Sequence, residues 1–171
     1  MLRFIHIFVW LSRIFHCRGF GVQSPTDYAF VRYVINEHWP YYKYDEIGQG
    51  DHWLKRKVGQ LYFRLANWRQ PETVFGPSWQ EYVKAGCCRC RMTAQPENAQ
   101  LAIVSSRQQA ERVLANYESR TVLVLDGRAL TKELWHEIAS AQLPTIAFDL
   151  YYCAIVIFNP KRTQQSYKIN F

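Results

Sequence analysis

The sequence predicts an α/β fold with a mostly parallel sheet, an antiparallel C-terminal hairpin and a group of N-terminal helices before the sheet. From residue 72 onward, short aliphatic and β-branched runs alternate with helical stretches, which is typical of a parallel sheet with crossover helices. Two runs near the C terminus, residues 145–150 and 153–158, are joined tightly enough to pair antiparallel. Before residue 72, helical periodicity dominates.

The chain is long enough to form one hydrophobic core. Its 171 residues fall within the usual size of a single domain, and a hydrophobic content of 49% argues against disorder. We therefore expect an N-terminal helical region, residues 1–71, packed on an α/β region, residues 72–171, as one compact unit.

The chain begins with an apolar segment, residues 3–15. Polar residues interrupt it, it falls short of the roughly 20 residues that a membrane span requires, and no small-residue cleavage site follows. A helix here, with Arg3, Arg13 and Arg18 near its apolar face, lies on a membrane surface, packs on a partner or packs on its own domain. We expect the packed arrangement.

Two further helices are predicted in the N-terminal region. Ser24 is a helix-capping residue and Pro25 suits the first helical position, so a helix begins there and stops at Trp39. A second helix covers residues 54–68, because its apolar side chains recur on one side. The aromatic segment 41–46 between them is predicted to be a loop.

The remaining elements follow from buried runs and helix caps. The predicted strands cover residues 73–75, 88–93, 101–104, 121–126, 145–150 and 153–158, with residues 166–171 extending the last of them. The predicted helices cover residues 78–85, a segment capped by Ser106, and a segment that begins at Thr131.

Charge and cysteine content exclude several classes of protein. The formal charge of +7 is spread along the chain rather than gathered in one basic stretch, which argues against a nucleic-acid interface. Cys87, Cys88 and Cys90 are too crowded for a regular disulfide framework and lack the ligand spacing of a zinc site. We interpret them as small residues on a strand and expect a reducing, cytoplasmic environment.

The segment H-C-R-G-F-G-V-Q-S-P, residues 16–25, contains a pattern of His, Gly, Ser and Pro that resembles an HGxHSP-type motif. This motif is found at the N terminus of a group of bacterial, Bacteroidetes-type class I methyltransferases, which depend on S-adenosylmethionine (SAM). Further similar segments are residues 40–47, 70–74, 135–138 and 148–158, which match the aromatic loop, the approach to the first strand, the last helix and the closing hairpin.

The resemblance implies a reduced Rossmann-like fold and a position for the cofactor and the acceptor. If the chain binds SAM, the residues that line the cofactor site are Gly76, Asp126 and Gly127. The residues that cover the methyl acceptor are Tyr41, Tyr42 and Tyr44.

The middle of the chain departs from the family pattern where the cofactor binds. The family has a glycine-rich turn after its first strand, because the methionine part of SAM lies against bare backbone. Here the turn keeps Gly76 as its one glycine, Pro77 removes an amide donor and Trp79 adds bulk.

The acidic residues of the family are also largely missing. No acid follows the second strand at residues 93–94, Glu97 comes too late, and residues 105–107 replace an Asp-Gly turn. Asp126 remains, but a lone carboxylate does not assemble a Mg²⁺ site, so we expect no metal. A strand and a helix are also lost between Ala94 and Leu101.

These departures lead to one functional prediction and two alternatives. We expect a methyltransferase-like protein without catalysis, with no bound cofactor and no assigned catalytic residue, that serves as a binding or structural subunit with a protein partner or a second copy of itself. The first alternative is an active SAM-dependent methyltransferase with an unusual pocket. The second is an adaptor attached to a membrane surface through residues 3–15, at the periphery of the cytoplasm.

Overall fold

The structure, a computed structural model, describes residues 2–141, 143 and 145–171, with the side chains of residues 2–6 excepted. The described residues form one seven-stranded, mostly parallel sheet in the order β2-β1-β3-β4-β6-β5-β7. The strands are β1 (Thr73–Phe75), β2 (Arg91–Met92), β3 (Leu101–Val104), β4 (Val122–Asp126), β5 (Thr145–Asp149), β6 (Cys153–Phe158) and β7 (Gln165–Lys168). The predicted Rossmann-like α/β class is confirmed.

Six α-helices accompany these strands in the described part of the chain. They are α1 (Leu2–Ser12), α2 (Pro25–Phe30), α3 (Trp53–Arg69), α4 (Gln80–Gly86), α5 (Arg107–Asn116) and α6 (Arg128–Ser140). Ser24 caps α2 and Ser106 caps α5 as predicted, each accepting a backbone N–H three residues on. A π-helical segment, Val31–Ile35, prolongs α2, so the helix ends before Trp39.

The sheet is covered on both faces. Alternate residues of a strand point to opposite faces, so Val124 of β4 packs in the cluster that contains α2, α3 and α4. Its neighbours Leu123 and Leu125 pack in a second cluster with α5 and α6. The buried residues of β4 are apolar on both sides because helices cover both sides.

The C-terminal strands differ from the prediction in the pairing of the last one. β5 and β6 pair antiparallel as predicted, but the hairpin is not at the sheet edge, because β7 pairs parallel with β5 outside it. Residues 166–171 therefore do not extend β6. β6 lies between β4 and β5 and is antiparallel to both.

Other element boundaries also differ from the predictions. Residues 88–93 are extended only at β2, and of the three neighbouring cysteines Cys87 and Cys90 are buried while Cys88 is exposed. α6 begins at Arg128 rather than Thr131, because Gly127 adopts φ 95° and allows the turn directly after β4. The aromatic loop contains a short 3₁₀ helix, Tyr42–Asp45.

The N-terminal segment differs from its predicted packing. We expected its apolar side chains to pack on the domain, but most of those described are exposed. The exposed apolar residues of this segment are Ile7, Phe8, Trp10, Leu11, Ile14, Phe15 and Phe20. The chain after α1 forms a 3₁₀ segment, Ile14–Gly19, in place of a continuous helix to residue 15.

Candidate functional site

The strand order identifies the candidate site. It lies at the edge of the sheet that is formed by the carboxyl ends of the parallel strands β1, β3 and β4. The chain leaves β1 for β2 on one side and then crosses to β3 on the other side of β1. In open α/β sheets, ligands bind beyond the carboxyl ends of the strands where the order reverses in this way. The turn after β1, which begins at Gly76, and the end of β4 at Asp126 lie at this edge.

Asp126 is held by two aromatic side chains. The Tyr62 hydroxyl donates to Asp126 Oδ1 at 2.7 Å, and Trp79 Nε1 donates to Asp126 Oδ2 at 2.8 Å. The two rings are perpendicular, with their centroids 4.8 Å apart. Each carboxylate oxygen therefore has a fixed donor from the protein itself.

The donor tyrosine belongs to a dry part of the site. Tyr62 is fully buried, and Cys153, also buried, is the register partner of Asp126 across β4 and β6. Burial, followed by the nearby charges of Cys153 and Asp126, raises the pKa of Tyr62 well above its ordinary value of 10.0. Burial likewise raises the pKa of the Cys153 thiol. Tyr62 keeps its proton at neutral pH and acts as the donor to Asp126.

Trp79 packs beside Tyr62 directly after the turn at Gly76. It lies in the 3₁₀ helix Pro77–Trp79, directly after the turn, and its side chain is buried, with 8% of the residue exposed. Residue 76 is a glycine for a packing reason, because a Cβ there would lie 3.1 Å from Ile103 Cβ of β3. The glycine thus permits a close approach of β1 to its neighbouring strand.

The three residues predicted to line a cofactor site all lie at the carboxyl ends of the sheet strands. Gly76 follows β1, Asp126 ends β4 and Gly127 follows it as the N-cap of α6, with β3 between the two strands. However, Tyr62 and Trp79 already occupy the Asp126 oxygens. Glu97 lies in a 3₁₀ turn, Pro96–Asn98, on the connection to the start of β3.

The three tyrosines predicted to cover an acceptor lie elsewhere. Tyr41 and Tyr44 make edge-to-face ring contacts with Phe63 of α3, with centroid distances of 5.1 Å and 5.2 Å. Residues 62 and 63 point about 100° apart on the helix, so these rings lie on a different side of α3 from Asp126. Tyr42 is exposed, with Lys43 over its ring.

A buried arginine explains the position of the aromatic loop. Arg64 donates from Nε to the carbonyl of Val34 at 2.6 Å and from Nη2 to the carbonyl of Ile35 at 3.0 Å. Its Nη1 donates to the Tyr44 hydroxyl at 3.1 Å. The loop is therefore part of the packing between α2 and α3 rather than a cover for the sheet edge.

Sequence reasoning missed the contacts that fill the site. Helical periodicity identifies Tyr62 only as one of the apolar positions of the predicted helix 54–68, and the sequence identifies Trp79 only as bulk in the turn. Buried tyrosine and tryptophan need a partner for their O–H and N–H groups, and this requirement is the signal that could have pointed to Asp126.

The described residues contain neither a metal-binding cluster nor a membrane-spanning helix. No group of three or more His, Cys, Asp or Glu side chains is placed to hold a metal ion there. No described helix is both long and apolar enough to cross a membrane. Comparison of the chain with protein families, curated proteins and solved structures found no match.

Proposed function

We propose that this chain is a methyltransferase-like protein that has lost catalysis and acts as a binding or structural subunit. One observation carries the proposal: the edge where a cofactor would bind is closed by the chain's own Trp79 and Tyr62, which bond both oxygens of Asp126. The two hydrogen bonds orient the carboxylate toward the protein's own donors and leave it fewer lone pairs for a ligand or a metal ion.

The strand order supports the methyltransferase part of the proposal. β1 and β2 lie next to each other, and β3 and β4 follow on the other side of β1. The antiparallel hairpin of β5 and β6 comes next in the sheet, beside β4. The connection from β2 to β3 contains only a 3₁₀ turn, Pro96–Asn98, in agreement with the loss of a strand and a helix there.

The residues at this edge do not fit SAM. The turn after β1 supplies a proline and a buried indole where the cofactor's methionine part needs open backbone. The end of β2 has no acid for the ribose hydroxyls. The separation of Tyr41 and Tyr44 from Asp126 also counts against the alternative of an active enzyme with an unusual pocket.

Calorimetry of the protein with SAM and with S-adenosylhomocysteine, with and without Mg²⁺, tests the proposal. We expect no binding heat up to millimolar ligand, because Trp79 occupies the site. An intact class I methyltransferase provides the positive control under the same conditions. Micromolar binding, or a methylated product that depends on this protein, would contradict the proposal.

The N-terminal segment supports a second candidate function, attachment to a membrane surface. Phe8 and Phe15 are 70% and 79% exposed, and further apolar side chains around them are also open to solvent. A group of large exposed apolar side chains in one short segment is typical of an interaction site. The exposed Arg18 and the net charge of +7 favour anionic lipid over another apolar protein surface.

Flotation with vesicles of phosphatidylcholine and phosphatidylserine tests this candidate. We expect the protein to float with anionic vesicles and the double variant Phe8→Ser/Phe15→Ser to remain at the bottom of the gradient. The matched control is Trp39→Ser/Tyr42→Ser, since Trp39 and Tyr42 are 78% and 76% exposed outside this segment. Equal loss in both variants, or a protein that dimerises through α1 and never floats, would contradict membrane attachment.

A further inference from the structure

A second concave site lies at the opposite end of the sheet from Asp126. A cavity of about 880 Å³ is lined by Val122, the first residue of β4, and by Phe158, the last residue of the antiparallel β6. α2 and the last turn of α3 form its walls. The cavity is therefore separate from the candidate site at Asp126. A ligand bound in it would not depend on the function proposed above.

The floor of the cavity is apolar and built on the sheet. Ile146, Phe148 and Ile157 contribute to it from β5 and β6. Phe30 of α2 adds an aromatic ring that contacts both Phe148, at 5.0 Å between centroids, and Trp68 of α3, at 4.8 Å. These contacts fix the walls relative to the floor, as in preformed small-molecule sites.

The rim of the cavity is basic. It carries Arg69, Arg120, Lys161 and Arg162. Asp27 is the acidic residue of the lining, and Arg162 is already paired with it at 2.8 Å. Among the described residues, no carboxylate lies within 4.0 Å of the side-chain nitrogens of the other three cations.

Two of these arginines are held close together. Arg69 Nε donates to the backbone carbonyl of Arg120 at 3.0 Å. Burial, and then the positive charge of Arg120, lowers the pKa of the Arg69 guanidinium. Arg120 also adopts φ 92°, a conformation that costs a non-glycine residue free energy. An oxyanion between the two guanidinium groups would offset their repulsion.

We propose that this cavity binds an amphipathic anion, with its apolar body on the sheet floor and its oxyanion head between Arg69 and Arg120. Guanidinium groups bind carboxylate and phosphate through paired, charge-assisted hydrogen bonds. Lys161 adds a third positive charge beside the head group. The cavity volume lies within the roughly 300–1,000 Å³ that is usual for small-molecule sites.

Calorimetric titration with octanoate, octyl phosphate and the neutral octanol tests this proposal. These three probes share one apolar chain and differ in the head group. We expect one octanoate or octyl phosphate per chain with sub-millimolar affinity, and binding of octanol that is weaker by roughly tenfold or more. The tighter of the two anions identifies the head group.

Three variants distinguish the contribution of the charged rim to binding from that of the apolar cavity. The double variant Arg69→Gln/Arg120→Gln is expected to lose roughly tenfold or more in anion affinity. The matched control, Arg112→Gln/Lys132→Gln, removes two exposed cations from α5 and α6 and should bind like the unchanged protein. Ala29→Trp adds a ring to the α2 wall, keeps every charge, and is expected to block all three probes.

Three results would overturn the proposal. They are octanol binding as tightly as the anions, anion affinity that is unchanged in Arg69→Gln/Arg120→Gln, and no binding of either anion at millimolar concentration. Circular dichroism of each variant checks that a lost affinity does not reflect a lost fold.

Discussion

At the scale of single residues, Asp126 is the centre of the candidate site. Its side chain is partly buried, and a carboxylate with reduced access to water is stabilised by hydrogen-bond donors from the protein. Tyr62 and Trp79 supply these donors, from positions 64 and 47 residues away in sequence. The same contacts link α3 and the turn after β1 to the end of β4.

Removal of one donor to Asp126 should destabilise the protein measurably. Trp79→Phe retains an aromatic ring but loses the Nε1–H bond, and we expect it to lower the free energy of unfolding by about 1–3 kcal/mol. Trp39→Phe, at an exposed tryptophan, is the control. Urea unfolding measures both variants. Equal midpoints for Trp79→Phe and the unchanged protein would show that the hydrogen bond contributes nothing.

The raised pKa of Tyr62 predicts a loss of stability at alkaline pH. Above the ordinary values of 10.0 for tyrosine and 9.0 for cysteine, the unfolded chain releases protons that folded Tyr62 and Cys153 retain. The stabilisation is therefore complete below these values and falls as the pH rises toward the folded-state pKa values.

Urea midpoints between about pH 8 and about pH 11 measure this dependence. Tyr62→Phe is expected to lose less stability over this interval than the unchanged protein, because it lacks one of the groups whose pKa the fold raises. Tyr42→Phe, at an exposed position, should follow the unchanged protein. Parallel curves for Tyr62→Phe and Tyr42→Phe would contradict the assignment.

At the scale of elements, polar contacts attach the N-terminal segment to the sheet. Arg13 donates to Asp149 Oδ2 at 2.6 Å and to the carbonyls of Asp149 and Ile169. Asn170 donates from Nδ2 to the carbonyl of Trp10 at 3.1 Å. These contacts hold the segment in place while its apolar side chains remain exposed, which suits attachment to a further surface.

The ion pair of Arg13 with Asp149 is expected to be far more important for stability than the exposed charge cluster of α5 and α6. Arg13→Met leaves Asp149 buried without its partner and should cost about 3–5 kcal/mol. Arg107→Met removes three exposed ion pairs with Glu111, Glu133 and Glu137 and should have a much smaller effect, because water screens them. Thermal and urea unfolding compare the two variants, and similar losses would refute this ranking.

At the scale of the whole molecule, one hydrophobic cluster joins the helical region to the sheet. It contains Leu61 and Leu65 of α3 together with Val74, Val124 and Phe148 of the strands. The boundary near residue 71 that the sequence suggests is therefore crossed by buried contacts. A cluster shared in this way favours a single cooperative transition.

We predict that the helical region and the sheet unfold together. Leu65→Ala in α3 should destabilise the protein by about 2–5 kcal/mol, and Val124→Ala in β4 should lower the same transition. Far-UV circular dichroism and tryptophan fluorescence, followed in one urea titration, should give coincident curves for both variants. Two separate transitions would show that residues 1–71 and 72–171 are independent units.

Many of the strands and helices were predictable because the sequence signals for them are local. The apolar run at β4, the caps Ser24 and Ser106, and the periodicity of α3 each act over a few neighbouring residues. The alternation of strands and helices after residue 72 then indicates a parallel sheet, and that class is confirmed.

Long-range contacts determine the rest, since residues that meet only in the folded chain leave no local pattern. The sequence contains no sign that β7 pairs beside β5 rather than prolonging β6, because the choice depends on which sheet edge remains open. It also cannot reveal that Arg69 and Arg120, far apart in the chain, meet at one cavity. For the same reason Trp79 could be recognised as bulky from its position in the turn, whereas its bond to Asp126 required the tertiary structure.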